Sequence, residues 1–320
     1  MSKYLVTGGA GFIGSHIVDA LVAAGHEVRV LDNLSTGQRC NLEHHGGNVE
    51  LIEGDLRDMA VGEHNCEGGQ GGFHEAALPS VPRSVEDPLT CNAVNVDGSL
   101  NVFVAARDVG AKVVYAGSSS AYGDTEVLPK HEAMPVAPLS PYAAAKVATE
   151  QYLASFAKVY GMKTVTLRYF NVFGPRQRND SPYSGVIAKF CRNALEGAAC
   201  RIEGDGLQSR DFTFVADVAR GNLLAMMTDL PGGTTMNLAG GDRISLIEML
   251  DELGRLVGRG IERVHVDPRA GDVKHSQADA RRAKDLLGFE CAYSFADGLR
   301  ETLDWYRESL EEVQTGQVKR

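Results

Sequence analysis

Along the first half of the chain, short runs of β-branched and aromatic residues alternate with longer stretches whose apolar positions recur every three or four residues. That alternation predicts strands at Tyr4–Thr7 and Val28–Leu31, another starting at Leu51 and Ile52, and later ones at Val113–Ala116 and Val165–Leu167. Between the first two, Gly11–Ala24 has helical periodicity and stops at Gly25, the residue type that best tolerates a left-handed helix end. A long helix precedes the last of these strands, with Ser140 as N-cap, Pro141 at the first helical position and Gly161 as its stop. Strands alternating with helices are the signature of βαβ units and a parallel sheet, so the fold class is α/β.

The second half changes character. Gly/Pro-rich loops at Gly174-Pro175, 179–185 and 231–233 separate shorter elements, the pattern of an irregular binding domain. Ser245 and Glu248 have capping-box spacing ahead of a helix over Leu246–Val257, and a last helix puts Leu299, Leu303 and Tyr306 on one face.

Composition narrows the function classes. With 32 Lys and Arg against 42 Asp and Glu, the net charge of −10 disfavours a broad phosphate-binding surface, so no nucleic-acid partner is expected. Nowhere is there an uninterrupted apolar stretch of the length a bilayer span requires, roughly 18 residues or more. The apolar N-terminus is broken by glycines, His16 and Asp19, unlike a signal peptide, and a cytoplasmic location is expected. Cys40, Cys66, Cys91, Cys191, Cys200 and Cys291 form no CxxC pair, so neither a disulfide framework nor a zinc site is indicated. His44-His45 and His74 have no second His or carboxylate at ligand spacing on a predictable element, and no metal is expected.

Glycine is the one compositional excess, with 36 residues in 320. Gly8, Gly11 and Gly14 lie in T-G-G-A-G-F-I-G, between the first strand and the first helix. There the first glycine permits the tight turn, the second lets backbone approach a pyrophosphate at the helix N-terminus, and the third lets helix pack on strand. Asp32 closes the second strand, where a carboxylate accepts hydrogen bonds from ribose hydroxyls and repels a 2′-phosphate; NAD is the expected cofactor.

Tyr142 and Lys146 stand one turn apart on the helix capped by Ser140. Tyr-x-x-x-Lys is also the spacing of any pair on a surface helix. The run Ser118-Ser119-Ser120 gives it chemical meaning, because it follows a strand whose C-terminal end faces the cofactor crevice. A hydroxyl there can bind a substrate oxygen while Tyr142, its phenolate favoured by a nearby ammonium, takes the proton.

These motifs, with D-N-L-S-T-G at 32–37, G-D-L-R-D at 54–58, N-V-D-G-S-L-N at 95–101, S-S-S-A-Y-G at 118–123, Y-A-A-A-K at 142–146, R-Y-F-N-V-F-G-P at 168–175 and R-D-F at 210–212, resemble the extended short-chain dehydrogenase/reductases, and among them the nucleotide-sugar 4-epimerases. The resemblance runs from about residue 3 to about 307. It implies a Rossmann-type doubly wound parallel sheet over 1–170 plus about 207–232, and a smaller C-terminal substrate-binding α/β domain over about 171–206 and 233–320. It implies NAD contacts from Gly8, Gly11, Phe12, Ile13, Gly14, Asp32, Asn33, Asp55, Leu56, Asn95, Tyr142, Lys146 and Tyr169. Ser118, Tyr142 and Lys146 take the catalytic positions, and Ser119 and Ser120 contact the sugar. For the UDP end it implies Asn171, Arg210 and Arg269, with Asp272 on the uridine ribose, and arginine forks suit phosphate oxygens.

The implied activity is 4-epimerisation of a UDP-hexose. Ser276 occupies the place where a small residue admits an N-acetyl group, so UDP-N-acetylglucosamine is expected beside UDP-glucose. UDP-glucuronate or UDP-pentose 4-epimerisation is the alternative. A 4,6-dehydratase lacks support because Ser119 and Ser120 stand where that chemistry needs Asp-Glu, and the intact Ser-Tyr-Lys set argues against a silent NAD-binding regulator. A homodimer through the helix after Pro141 and the one from about Pro88 to Arg107 is a further expectation. One segment departs from the family: glycines precede His74-Glu75-Ala76-Ala77 where an apolar strand belongs, so that strand is expected to be short or distorted.

Overall fold

The structure is a computed structural model and describes residues 2–58, 70–178, 185–267 and 274–315. Seven parallel strands form one sheet: β1 Lys3–Thr7, β2 Glu27–Asp32, β3 Val49–Glu53, β4 Gly71–His74, β5 Lys112–Ser118, β6 Thr164–Tyr169 and β7 Thr234–Leu238. Their order is β7-β6-β5-β4-β1-β2-β3. The direction of winding reverses between β1 and β4, where Thr7 is in register with His74, and in sheets of this kind ligands bind outside that reversal point.

Helices cover both faces. On one, α1 (Phe12–Ala23) packs Ile17, Val18 and Leu21 against β1 and β2, beside Val218, Ala219 and Met226 of α5 (Val215–Met227). On the other, α2 (Gly98–Asp108) contributes Val102, Phe103 and Ala106, and α3 (Pro141–Tyr160) contributes Leu153. α3 starts as its sequence dictates: the Ser140 hydroxyl accepts from the Ala143 amide (3.1 Å) and Pro141 follows. A separate core joins α4 (Val186–Glu196), α6 (Leu246–Val257) and α8 (Phe295–Thr315) around Phe173 and Phe214. The capping box of α6 is formed, with the Ser245 amide donating to Glu248 (2.8 Å) and the Glu248 amide to Ser245 Oγ (3.2 Å).

One sequence expectation changes and another is met by its first alternative. The boundary at 233 divides the sheet, because Thr234–Leu238 pairs with β6 as the outer strand β7. Ala283 and Leu287 of α7 (Arg281–Leu287), and Phe289 after it, also pack into the core of the main sheet. The glycine-rich strand is short, at four residues, yet undistorted: Gly71–His74 keep register with both β1 and β5. Ladder hydrogen bonds use backbone alone, so missing side chains do not disturb pairing. The preceding glycines, Gly68 and Gly69, lie outside the described residues.

Candidate active site at the reversal point of the sheet

The turn from β1 into α1 is built to bring backbone close. Gly8 has φ +69°, and a Cβ there would stand 2.7 Å from the Ala76 backbone; a Cβ on Gly14 would stand 2.2 Å from the Gly8 carbonyl. Gly11 is the N-cap of α1, and the amides of Phe12 and Ile13 in its first turn have no intrahelical acceptor, the arrangement that receives a phosphate anion. At the end of β2, Asp32 accepts from the Ala10 amide through Oδ2 (3.0 Å) and from the Leu34 amide through Oδ1 (2.8 Å). Both bonds fix the carboxylate while leaving acceptor capacity on each oxygen. Burial raises its pKa, and those two amides oppose the rise.

Next along the same edge, Asn33 donates to Asp55 (3.0 Å), and the Arg57 guanidinium holds the Asp55 carboxyl far below its ordinary value. Leu56 is buried against Gly98 at the start of α2. Asn95 sits in a π-helical turn, Ala93–Asp97, and its side chain brackets Leu78, accepting from the Leu78 amide (2.8 Å). The turn without Cβ atoms, the anchored carboxylate and the free helix-end amides together fit a dinucleotide.

The side chains expected to react converge on the C-terminal ends of β4, β5 and β6. Ser118 ends β5, its Oγ 2.7 Å from Ser120 Oγ in the 3-10 turn Ser119–Tyr122, on the side of the crevice that Tyr142 shares. Burial pushes the Tyr142 phenol up to about 12, and the Ser118 contact counteracts it. One turn on, buried Lys146 donates to the Ala116 carbonyl (2.9 Å) and lies 4.9 Å from the Tyr115 ring centre. Burial lowers its pKa to about 8, with the Glu75 carboxylate acting in the opposite direction. Tyr169, at the end of β6, donates to Glu75 Oε1 (2.8 Å) and accepts from Asn222 Nδ2 (2.8 Å) on α5. Burial raises Glu75 to about 7, with Tyr169 and Lys146 opposing.

Nothing in the sequence marks Glu75 as a site residue, although it stands in the H-E-A-A stretch. His74 beside it is structural. Ser99 Oγ donates to the Asn95 carbonyl (2.7 Å), so it accepts from His74 Nε2 (2.8 Å), and His74 Nδ1 accepts from Thr7 Oγ1 (2.7 Å). Burial drives its pKa down to about 3, so a neutral imidazole pins β1, β4 and the π-turn together at the crevice.

Across the crevice, Asn171 adopts φ +33° and donates to the Asp211 carbonyl (3.1 Å). Arg210 lies on the strand Ser209–Arg210 and donates to the Ser209 and Lys274 carbonyls (3.0 and 3.1 Å). Ser276 is 7% exposed and lies in the same wall, its amide bonded to the Ser209 carbonyl (3.0 Å). The residue that organises this wall is Asp211, the middle of R-D-F. Wholly buried, it accepts from the amides of Gly240, Gly241 and Ala278 and so ties the loops at 240 and 278 to its own segment. Burial raises it to about 7. Arg269 and Asp272 lie outside the described residues.

The family model of the NAD dependent epimerase/dehydratase family matches residues 4–239, most of the chain. The chain belongs to that family. It is an enzyme, and NAD is its cofactor. Its likeness to individual members extends over nearly its full length. It is 38% identical over 310 residues to the UDP-glucose 4-epimerase of Mycolicibacterium smegmatis, covering 95% of this chain and 98% of that one. A solved UDP-N-acetylglucosamine 4-epimerase from Methanobrevibacter ruminantium, in complex with UDP-N-acetylmuramic acid, superposes with a TM-score of 0.93 at 41% identity, over 96% of this chain and 99% of that one. The UDP-glucose 4-epimerase of Thermus thermophilus in complex with NAD gives 0.87 at 38% identity, over 95% and 99%. This family member therefore shares its architecture with structures that hold NAD and UDP-sugars.

Proposed function

We propose that this protein is a UDP-sugar 4-epimerase that converts UDP-N-acetylglucosamine and UDP-glucose to their 4-epimers. The observation that carries the reading is the convergence of Ser118, Tyr142 and Lys146 on the crevice floored by the glycine turn. The amides at the start of α1 hold the pyrophosphate of NAD, and Asp32 holds its adenosine ribose; Asn33, Asp55, Leu56, Asn95 and Tyr169 line the rest of its bed. Bound NAD supplies the oxidant that takes hydrogen from carbon 4 of the sugar and returns it.

The protein's own work is proton transfer and orientation. Ser118 hydrogen-bonds the sugar 4-oxygen, and Tyr142 takes its proton. A phenol at about 12 is a poor base, so the positive charge brought by Lys146 and by the oxidised cofactor is what draws it toward neutrality. Asn171, Arg210 and Arg269 hold the diphosphate and Asp272 the uridine ribose, while the 4-keto sugar turns its other face. Ser119 and Ser120 contact the sugar in both poses. The small Ser276 leaves room for an N-acetyl group, a substrate range supported by relatives named for UDP-glucose and for UDP-N-acetylglucosamine.

Tyr142→Phe should retain NAD and lose at least ~10³-fold in kcat, the upper range for removal of a general base. Product analysis by NMR across UDP-glucose, UDP-N-acetylglucosamine, UDP-glucuronate and UDP-pentoses decides the substrate. Turnover of UDP-glucose alone defeats the Ser276 argument, and turnover of UDP-glucuronate or pentoses alone replaces the hexose reading. A homodimer belongs to the same proposal. Leu89, in the helix Pro88–Asn92, and Val159 on α3 are exposed apolar side chains on the two helices it would use. Light scattering at the monomer mass would refute the dimer.

A further inference from the structure

Among the described residues, one group of three metal-ligating side chains converges, far in sequence from the reacting residues: Asp19, His44 and His45. Their ligand atoms all lie within 4.8 Å of one another. The sequence offers no carboxylate at ligand spacing from the His pair, and the fold brings one from a distant segment: α1 places Asp19 against the 3-10 segment Glu43–Asn48, contrary to the expectation of no metal. His44 Nε2 lies 3.0 Å and His45 Nε2 2.7 Å from the same oxygen, Asp19 Oδ1. The other oxygen, Oδ2, lies 2.9 Å from the Arg176 guanidinium, and His16 Nδ1 stands 4.0 Å from it.

We propose that Asp19 Oδ1, His44 Nε2 and His45 Nε2 form a binding site for a borderline divalent transition-metal ion of the Zn2+ or Co2+ kind. Two imidazoles and one carboxylate are a donor set that suits zinc and not calcium or magnesium, which take oxygen ligands. A tetrahedral ion with metal–ligand bonds of about 2.0–2.1 Å holds its ligand atoms roughly 3.3 Å apart. The observed separations from Oδ1 therefore need to open by only a few tenths of an ångström. Binding replaces the proton on each Nε2, and Nδ1 then carries the remaining ring proton of each neutral imidazole.

The supports are already in place. The His segment is anchored from below: Asn41 donates to the Ala10 carbonyl (2.8 Å), and Leu42 is buried in the main core. His45 is held with its side chain 8% exposed, whereas His44 is 48% exposed and leaves the fourth position open to solvent. Arg176 orients the carboxylate through Oδ2 and turns Oδ1 toward the imidazoles, the kind of outer-shell contact that tunes metal ligands, while its positive charge weakens the affinity.

The test uses the untagged full-length protein, stripped with a chelator, in a Cys40→Ser background because Cys40 is an exposed thiol close by in the chain. Titration with Zn2+ against a chromogenic chelator should give one equivalent, and Co2+ should give the visible absorption of a four-coordinate site with nitrogen and oxygen ligands. His44→Ala and Asp19→Asn should each weaken Zn2+ binding at least ~10-fold and abolish the rise in Tm that Zn2+ causes. Absence of binding to the stripped protein overturns the site, as does binding of equal strength in His44→Ala. His44 is exposed, so that variant is decisive even where a change at His45 disturbs folding.

Discussion

Beyond β1 the chain turns through Gly8, Gly11 and Gly14; beside it, β4 opens on Gly71 and Gly72. Both clusters lie on the β1–β4 pair, the first at its C-terminal, crevice end and the second at the opposite end, where Gly71 and Gly72 are in register with Tyr4 and Leu5, and the space around their missing side chains differs. At Gly8 and Gly14 a Cβ would collide with backbone, which has no way to yield. At Gly72 a Cβ would meet only the Leu5 carbonyl, at 3.8 Å, and it faces a small apolar cavity of about 10 Å³ lined by Leu5, Val102, Ala106 and Val113 among others. Glycine is thus a requirement of shape in the first cluster. In the second it is a loss of packing and of chain rigidity that the backbone ladder survives.

The largest expected effect comes from adding one carbon to the first cluster. Gly14→Ala forces the Gly8 carbonyl away from 2.2 Å and so opens the turn that carries the helix-end amides. NAD affinity should fall at least ~100-fold, as fits the loss of several charge-assisted hydrogen bonds. Calorimetric titration with NAD reads this, with circular dichroism to establish that the variant is folded. Near-native affinity in a folded variant would mean that the turn tolerates Cβ atoms after all.

At the C-terminal ends of the two strands, beside the first cluster, the contrast lies in Glu75, which follows β4 and has no counterpart after β1. Its folded pKa of about 7 exceeds the ordinary 4.5, so the folded state keeps a proton that the unfolded chain releases. Stability linked to this group is fully present below about pH 4.5 and is lost as pH climbs to about 7. Glu75→Gln keeps an acceptor for the Tyr169 hydroxyl and removes the titration. Its stability should match the wild type near pH 5 and exceed it near pH 8, by an amount on the order of 1 kcal/mol, read from thermal denaturation at each pH. Parallel Tm profiles across that window would show that the Glu75 carboxylate is not penalised by burial.

The first cluster is fully legible in the sequence and the second only in part, for a physical reason. Strand, glycine turn and helix are contiguous, so T-G-G-A-G-F-I-G contains its own structural context, as do the Ser140-Pro141 start of α3 and the Ser245/Glu248 box. Tyr142 and Lys146 are legible for the same reason, being one turn apart. Contacts that the fold assembles from distant segments are not legible: Glu75 with Tyr169 and Asn222, Asp211 with the loops at 240 and 278, and Asp19 with His44 and His45. β7 escapes as well, since it returns to the sheet after a helix and a Pro-Gly-Gly loop that reads as a domain boundary.

The smallest effects are the sharpest test, because Gly71 and Gly72 are neighbours facing opposite sides of the sheet. Gly72→Ala should stabilise the protein by about 0.5–1 kcal/mol, through reduced freedom of the unfolded chain and contact with the cavity wall. In a chain of this size that is a rise of about 1–2 °C in Tm. Gly71→Ala gains the same chain entropy but places its Cβ 2.6 Å from Met226 Sδ and 2.8 Å from its Cε. That thioether is flexible and gives way at some loss of packing, so the net change should be near zero or negative. Differential scanning calorimetry of the two single variants and of Gly71→Ala in a Met226→Ala background separates the terms, for the shortened side chain removes the collision. If Gly71→Ala and Gly72→Ala raise Tm equally in the native background, space at the Cβ is not what distinguishes the two faces, and the cavity beside Gly72 has no energetic weight.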